Sequence, residues 1–219
     1  MSLFSGTHIR VMLVSIMAQT ARKSASSPSS EAAAPAKKDR RDVILDAMLD
    51  IIAEKGLHDA VMADLVKRSG AAPAVLYHYF KNKEEIIRAL YMKVKIRMGS
   101  FLVSEDLMAA SPAHAYRRLW RNAYNYYRAH AKESVFLDQY ESSPYFSPDD
   151  DHFFIKTDKN YALLAKAFPA GTFRTLPLEV FHELTFIFPR RMAGMKHAHD
   201  GDTVKAMAEA AWRGLSTEE

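Results

Sequence analysis

The sequence predicts an all-α protein, with a small N-terminal three-helix domain followed by a larger C-terminal helical domain. Three observations support this prediction. The chain has 219 residues and is 48% apolar, which suffices for one small and one larger core. Its apolar residues recur at helical spacings rather than in alternation. Cysteine is absent, which excludes disulfides, thiolate metal sites and a cysteine nucleophile.

Residues 1–38 are predicted to form a flexible arm, because residues 19–38 are rich in Ser, Ala, Pro and Lys. The apolar run Val11–Ala18 resembles the core of a weak signal peptide. It is too short to span a bilayer, which needs ~20 apolar residues, and no compelling cleavage site follows it. We therefore expect a cytoplasmic protein, and an exported helical protein is the alternative.

The first predicted helix reads RRDVILDAMLDIIAEKG, with one apolar and one acidic face, and Gly56 is expected to end it as a left-handed cap. A second helix covers about residues 60–69. A third begins at Pro73, because the first helical turn does not need the amide that proline lacks. Leu76 and Phe80 lie four residues apart on one face of this helix and are predicted to be core.

The fourth helix is predicted to open with a capping box, in which Asn82 caps the helix and Glu85 reaches back, and to run to about residue 103. The second and third helices are separated by a short break with a glycine at the bend, which is the spacing of a helix-turn-helix. We place this domain at residues 39–85 and the larger helical domain at residues 86–219.

The third helix also carries polar rings that point away from its core face. Ala74, Tyr77 and His78 are expected to be partly exposed, because so small a domain cannot give buried polar atoms enough partners. Hydroxyl and imidazole groups, together with the ammonium group of Lys83, can donate to phosphate oxygens. The alternative is that Tyr77 and Tyr79 only close the rim of the core.

The positive charge of the chain lies in its first half. Residues 37–100 carry 13 basic and 9 acidic side chains, whereas residues 101–219 carry 14 and 16. This asymmetry favours a polyanionic partner for the first half, because phosphate neutralisation supplies most sequence-independent affinity for nucleic acids. A charged, solvated surface is the alternative.

The segment Val43–Glu85, VILDAMLDIIAEKG…DLVKRSGAAPAVLYHYFKNKEE, resembles the DNA-binding domain of the TetR family of transcriptional repressors. The aromatic run followed by lysine is the family's most specific mark. The resemblance implies a homodimer that binds a pseudo-palindromic operator, with the third helix as the recognition helix in the major groove. The residues that it implies in DNA contacts are Pro73, Ala74, Tyr77, His78 and Tyr79, and Lys83 as a phosphate ligand.

Several residues depart from the family's pattern. Val61 and Ala72 stand where Thr or Ser is common, so each loses a capping oxygen worth ~0.5–2 kcal/mol. Pro73 and Ala74 replace the frequent Lys and Gly, which leaves operator sequence and affinity open. Basic residues before the first helix, among them Arg40, can compensate by following the DNA backbone or entering the minor groove.

The second half of the chain contains an aromatic stripe at helical spacing, which begins at Tyr116. Such a stripe is core by default, but a cavity for a small molecule uses the same amphipathic lining. The segment ESVFLDQYESSPYF resembles a stretch near the ligand cavity in part of the TetR family. The candidate effector-binding residues are Trp120, Tyr124, Tyr127 and Tyr140.

Near the C-terminus, the segment PLEVFHELTFIFPRRMAG is apolar on two faces, and Pro189 is expected to kink or end its helix. The final helix, for which Asp202 is the predicted cap, has one apolar stripe. The two helices predict a four-helix interface in a homodimer. The candidate interface residues are Phe181, Leu184, Phe188, Met207 and Ala211.

The sequence contains no glycine-rich phosphate loop and no nucleophile motif, so an enzyme is unsupported. The cluster at residues 197–202 lacks helical ligand spacing, so we expect neither a metal nor a cofactor. The predicted function is a dimeric repressor that a small apolar or aromatic effector releases from operator DNA. The alternative is a helical ligand-binding protein with degenerate operator recognition.

Overall fold

The computed structural model describes residues 39–103, 107, 111–147 and 159–218. The predicted arm, with its apolar run, lies outside the described residues. In the described part the chain is helical, and its one extended pairing is an isolated bridge between Phe173 and Ser216. The all-α prediction is confirmed. No helix in the described part is both long and apolar enough to cross a membrane.

The helices follow one another in the chain with short connections between most of them. They are α1 (Arg40–Lys55), α2 (Met62–Ser69), α3 (Pro73–Tyr79), α4 (Lys83–Leu102), α5 (Pro112–Ala129), α6 (Ala131–Glu141), α7 (Lys159–Ala167), α8 (Leu178–His182), a π-helical segment (Glu183–Ile187), α9 (Phe188–Ala193) and α10 (Gly201–Leu215).

The chain divides into two compact units. The first unit contains described residues 39–96 and 131–147, and the second contains the remaining described residues. Helix α6 therefore packs with the N-terminal helices, although it follows them by more than 30 residues in the chain. The sequence prediction had placed this segment with the C-terminal domain.

The core of the first unit forms around α1, which packs against both α2 and α6. Ile44, Met48 and Ile52 on the predicted apolar face are buried. Leu45 and Leu49 are buried as well, at 0% and 8% exposure. A single apolar face was expected, but α1 is covered on two sides because α6 joins this unit.

The ends of α1 and α2 differ although both have a glycine. Gly70 at the end of α2 is left-handed, with φ 64° and ψ 13°. Gly56 has φ 91° and ψ 160°, so the left-handed cap predicted there is wrong. The positive φ still favours glycine, since side chains rarely adopt it. After Gly56 the chain forms a turn at residues 57–59.

The capping box predicted for α4 is present in a modified form. The Asn82 side chain accepts a hydrogen bond from the Glu85 amide at 2.8 Å. The Glu85 carboxylate accepts one from the Lys81 amide at 2.6 Å, one residue before the cap. Two backbone donors are satisfied at this helix start, which stabilises the link between α3 and α4.

In the second unit, α5 packs against α9 and α10. The buried hydroxyls of Tyr116 and Thr185 form a hydrogen bond at 3.1 Å. Trp120 Nε1 donates to the carbonyl oxygen of Leu184 at 3.0 Å. Leu184 and Thr185 both lie in the π-helical segment that precedes Pro189, so the predicted break occurs as a change of helix type.

Helix α10 begins with a side-chain cap that differs from the predicted one. The carboxylate of Asp200 accepts a hydrogen bond from the Thr203 amide at 2.7 Å, whereas Asp202 lies in the first turn. This hydrogen bond is the main reason why the pKa of Asp200 is lowered. The helix starts two residues earlier than the apolar pattern indicated, because the cap side chain selects the start.

Candidate functional site

Helix α3 has a buried face that attaches it to the first unit. Leu76 is 1% exposed, and Phe80, which ends the helix, is 2% exposed. The guanidinium carbon of Arg41 lies 5.3 Å from the centroid of the Phe80 ring, a cation–π arrangement. The prediction that Leu76 and Phe80 are core residues is confirmed.

The opposite face of α3 lies at the surface and carries polar rings. Tyr77 is 59% exposed. Pro73, Ala74 and His78 are also exposed, and Tyr79 is half-buried. The rings of His78 and Tyr79 meet edge to face with centroids 5.3 Å apart. The structure therefore brings all five predicted residues of this helix to one exposed region of the first unit.

An open groove runs beside this face and joins it to the start of α1. Arg40 lies on its α1 side, where the residue is exposed. A guanidinium beside hydroxyl and imidazole groups offers several hydrogen-bond donors to an anion. The groove is lined by Arg40, Gly70, Ala72, Ala74, Val75, His78 and Tyr79.

The starts of α2 and α3 lack side-chain caps. Val61 precedes α2 and Ala72 precedes α3, and neither residue makes a capping hydrogen bond from its side chain. Val61 is also 49% exposed, which is high for a large apolar residue. Pro73 reduces the need for a capping acceptor at α3, since it has no amide hydrogen to donate.

Lys83, the first residue of α4, directs its ammonium group into the first unit. Its Nζ donates to the carbonyl oxygens of Leu57 at 3.1 Å and His58 at 3.2 Å. Burial lowers the pKa of Lys83, and the charge of Asp59 acts in the opposite direction. Two of three N–H donors are thus engaged within the protein, and the phosphate contact implied for Lys83 stays a prediction.

The predicted effector-binding residues are buried in two different units. In the second unit, the Trp120 and Tyr124 rings are parallel with centroids 6.4 Å apart, and Tyr127 donates to Met98 Sδ at 3.4 Å. In the first unit, Tyr140 stacks on Tyr91 with centroids 4.4 Å apart. Each of the four candidate side chains is at most 4% exposed, so their use by an effector stays a prediction.

The predicted interface residues differ in how deeply they are buried. Phe181, Leu184, Phe188 and Met207 are half-buried. Ala211 is 3% exposed in the single chain, so its own unit already covers it. A dimer contact of this face stays a prediction. Among the described residues, no group of three or more His, Asp or Glu side chains is arranged to hold a metal ion.

Comparisons with known proteins point to one family. A family model described as bacterial regulatory proteins, tetR family, matches residues 44–90. A fatty acid metabolism regulator of Bacillus subtilis is 38% identical over 72 residues, which cover 32% of this chain and 36% of that protein. An uncharacterized HTH-type transcriptional regulator of Haemophilus influenzae is 30% identical over 112 residues, which cover 51% and 59%. The chain thus spans less than two thirds of either relative.

Solved structures share the fold over nearly their whole length. A TetR family regulator from Marinobacter aquaeolei superposes with a TM-score of 0.70 at 15% identity, covering 81% of this chain and 95% of that one. A TetR-family regulator from Haemophilus influenzae gives 0.66 at 24% identity, covering 84% and 100%. Residues 44–90 thus match the tetR family model, and the chain has the fold of TetR-family regulators.

Proposed function

We propose that the protein binds operator DNA through the exposed face of α3 and thereby regulates transcription. One observation carries the proposal: α3 buries Leu76 while Tyr77 and His78 stay exposed, and His78 shares a groove with Arg40. These side chains supply neutral and cationic donors that match phosphate oxygens. Pro73 and Ala74 form the first turn, whose small side chains permit a close approach to base edges.

The complete DNA-binding form is a homodimer in this proposal. A single α3 reads one half-site, and two copies related by a two-fold axis reach successive major grooves, about 34–36 Å apart along the duplex. The half-buried apolar residues Phe181, Leu184 and Phe188 support a contact between subunits. The regulator acts as a repressor in the cytoplasm, where its operator is.

A small apolar or aromatic effector is proposed to release the repressor. The aromatic residues of the second unit, such as Trp120 and Tyr124, support this class of ligand. The effector must bind more tightly to the conformation that does not bind DNA, because a ligand with equal affinity for both conformations does not shift the equilibrium between them. The Bacillus relative is named for fatty acid metabolism, but the alignment covers 36% of it, so that name adds only weak support.

The proposal is tested by fluorescence anisotropy on duplex DNA from the region upstream of the protein's own gene. We expect the wild type to bind this duplex at least ten times more tightly than a scrambled duplex, with an affinity that falls steeply with salt. Tyr77→Ala should weaken binding about tenfold, whereas Val135→Ala, an exposed apolar change on α6, should not. Equal binding of both duplexes by the wild type would contradict the proposal.

A ligand-binding protein with degenerate operator recognition is the second candidate. The absence of side-chain caps at Val61 and Ala72 favours it, because both helices of the motif start without a stabilising hydrogen bond. This candidate predicts weak DNA binding that does not depend on sequence. The comparison of the upstream and scrambled duplexes therefore separates the two functions.

A further inference from the structure

The turn between α1 and α2, residues 57–59, is held from two other helices. The amide of Leu57 donates to Oε1 of Gln139 on α6 at 2.6 Å. The carbonyl oxygens of Leu57 and His58 both accept from Nζ of Lys83 on α4. Leu57 is 6% exposed, so its amide and carbonyl groups rely on these side chains for hydrogen bonds.

Both side chains reach the turn from well-anchored helices. On α6, Lys132 pairs with Asp50 of α1 at 2.6 Å, and Tyr140 stacks on Tyr91 of α4 at 4.4 Å between centroids. These contacts lie on either side of Gln139 in the sequence and limit how far α6 can shift without breaking the Leu57 hydrogen bond.

This turn also affects the position of α2, which follows it in the chain. Two ion pairs tie the end of α1 to α2, between Lys55 and Asp64 at 2.6 Å and between Arg68 and Glu54 at 2.6 Å. The hydrogen bond from Arg68 lowers the pKa of Glu54, as expected for a charge-assisted bond. These ion pairs link α2 to the end of α1 beside the turn, and α3 follows α2 after three residues.

We propose that Gln139 and Lys83 are positioning residues that align the helix-turn-helix for DNA by holding the backbone of Leu57 and His58. This inference rests on the proposed function. Neither side chain needs to touch DNA in this role.

The role of Lys83 can be separated from a phosphate contact by salt dependence. Removing a phosphate contact lowers the slope of log affinity against log salt by about one. Removing a positioning contact weakens binding but leaves that slope unchanged, because the same phosphates are neutralised. Lys81 is exposed two residues earlier, so Lys81→Met is a matched control for the loss of one charge.

The experiment measures two quantities for each full-length variant: amide hydrogen exchange at Leu57 without DNA, and operator affinity at several salt concentrations. Gln139→Leu removes the acceptor, and Gln139→Glu retains an acceptor oxygen. We expect Gln139→Leu to speed exchange at Leu57 about tenfold and to weaken operator binding about tenfold with an unchanged salt slope. Gln139→Glu should stay near the wild type in exchange, and Lys83→Met should weaken binding with an unchanged slope.

Three results would overturn the inference. Exchange at Leu57 that Gln139→Leu leaves unchanged would show that the hydrogen bond does not hold the turn. Faster exchange with unaltered operator affinity would show that the turn does not position the motif. A slope lowered by about one in Lys83→Met, but not in Lys81→Met, would assign Lys83 to a phosphate. If the wild type binds no operator, the proposed function fails, while exchange still decides whether Gln139 holds the turn.

Discussion

Helices α3 and α5 are both rich in tyrosine, yet they use their rings in opposite ways. On α3, Tyr77 is 59% exposed. On α5, Tyr116, Tyr124 and Tyr127 are at most 4% exposed. The rings differ in exposure because the two helices are covered by different numbers of neighbours. Helix α3 has seven residues and one buried face, whereas α5 has 18 residues and packs against α9 and α10. An aromatic run at helical spacing therefore indicates a surface or a core only once its neighbours are known.

The largest effect that this comparison predicts is for Trp120→Ala on α5. The indole is fully buried and donates to the Leu184 carbonyl, so its removal leaves a cavity and an unpaired acceptor. We expect the free energy of unfolding to fall by about 3–5 kcal/mol, measured by chemical denaturation. The control Arg121→Ala, on the exposed side of the same helix, should change it by less than about 0.5 kcal/mol. Similar losses in both variants would contradict the assignment.

A smaller loss is expected for Tyr116→Phe, which keeps the ring and removes the hydroxyl. The hydroxyl of Thr185, 0% exposed, then loses its hydrogen bond to Tyr116. Stability should decrease by about 1–3 kcal/mol, seen as a lower denaturation midpoint. Tyr77→Phe removes a hydroxyl from the exposed ring of α3 and should leave the midpoint unchanged.

The same pair predicts a dependence on alkaline pH. Burial raises the pKa of Tyr116, while its hydrogen bond with Thr185 acts the other way. Because the folded state keeps this proton after the unfolded chain loses it, the stability contribution is complete below about pH 10 and is lost as the pH rises further. The wild type should therefore lose more stability than Tyr116→Phe between about pH 9 and 11. Parallel pH profiles would show that this hydroxyl does not contribute.

The next prediction is a gain in stability, and it concerns the capping residues at the helix starts. Helix α5 is preceded by the cap residue Ser111, whose side chain accepts from the His114 amide at 3.4 Å, whereas α2 is preceded by Val61, which makes no such bond. Val61→Ser should supply the missing cap and raise stability by about 0.5–2 kcal/mol, measured as a higher midpoint. Val135→Ser, another exposed valine but not at a cap, should bring no gain. A gain in both variants would point to the loss of exposed apolar surface instead.

The smallest effect on stability is expected for Tyr77→Ala on α3. Since the ring is 59% exposed, its removal should change the free energy of unfolding by less than about 0.5 kcal/mol. A loss above about 2 kcal/mol would mean that the ring belongs to the core. Any weakening of DNA binding by this variant could then not be attributed to a lost contact.

Local sequence patterns predicted the helices of the first unit and the direction of α3. The four-residue spacing of Leu76 and Phe80 identified the buried face, and the polar atoms of Tyr77 and His78 indicated the exposed one. The same patterns could not predict that Leu45 and Leu49 are buried, because helical periodicity reports how many faces are apolar but not which distant helix covers them.

By itself, the sequence determined the helices, the helix-turn-helix spacing and the exposed polar face of α3, because each depends on residues a few positions apart. Tertiary structure alone decided that α6 joins the first unit and that Lys83 and Gln139 hold the turn at Leu57. Those contacts join residues 26 and 82 positions apart. Such pairs produce no periodic pattern in the sequence, since they form only when the helices pack.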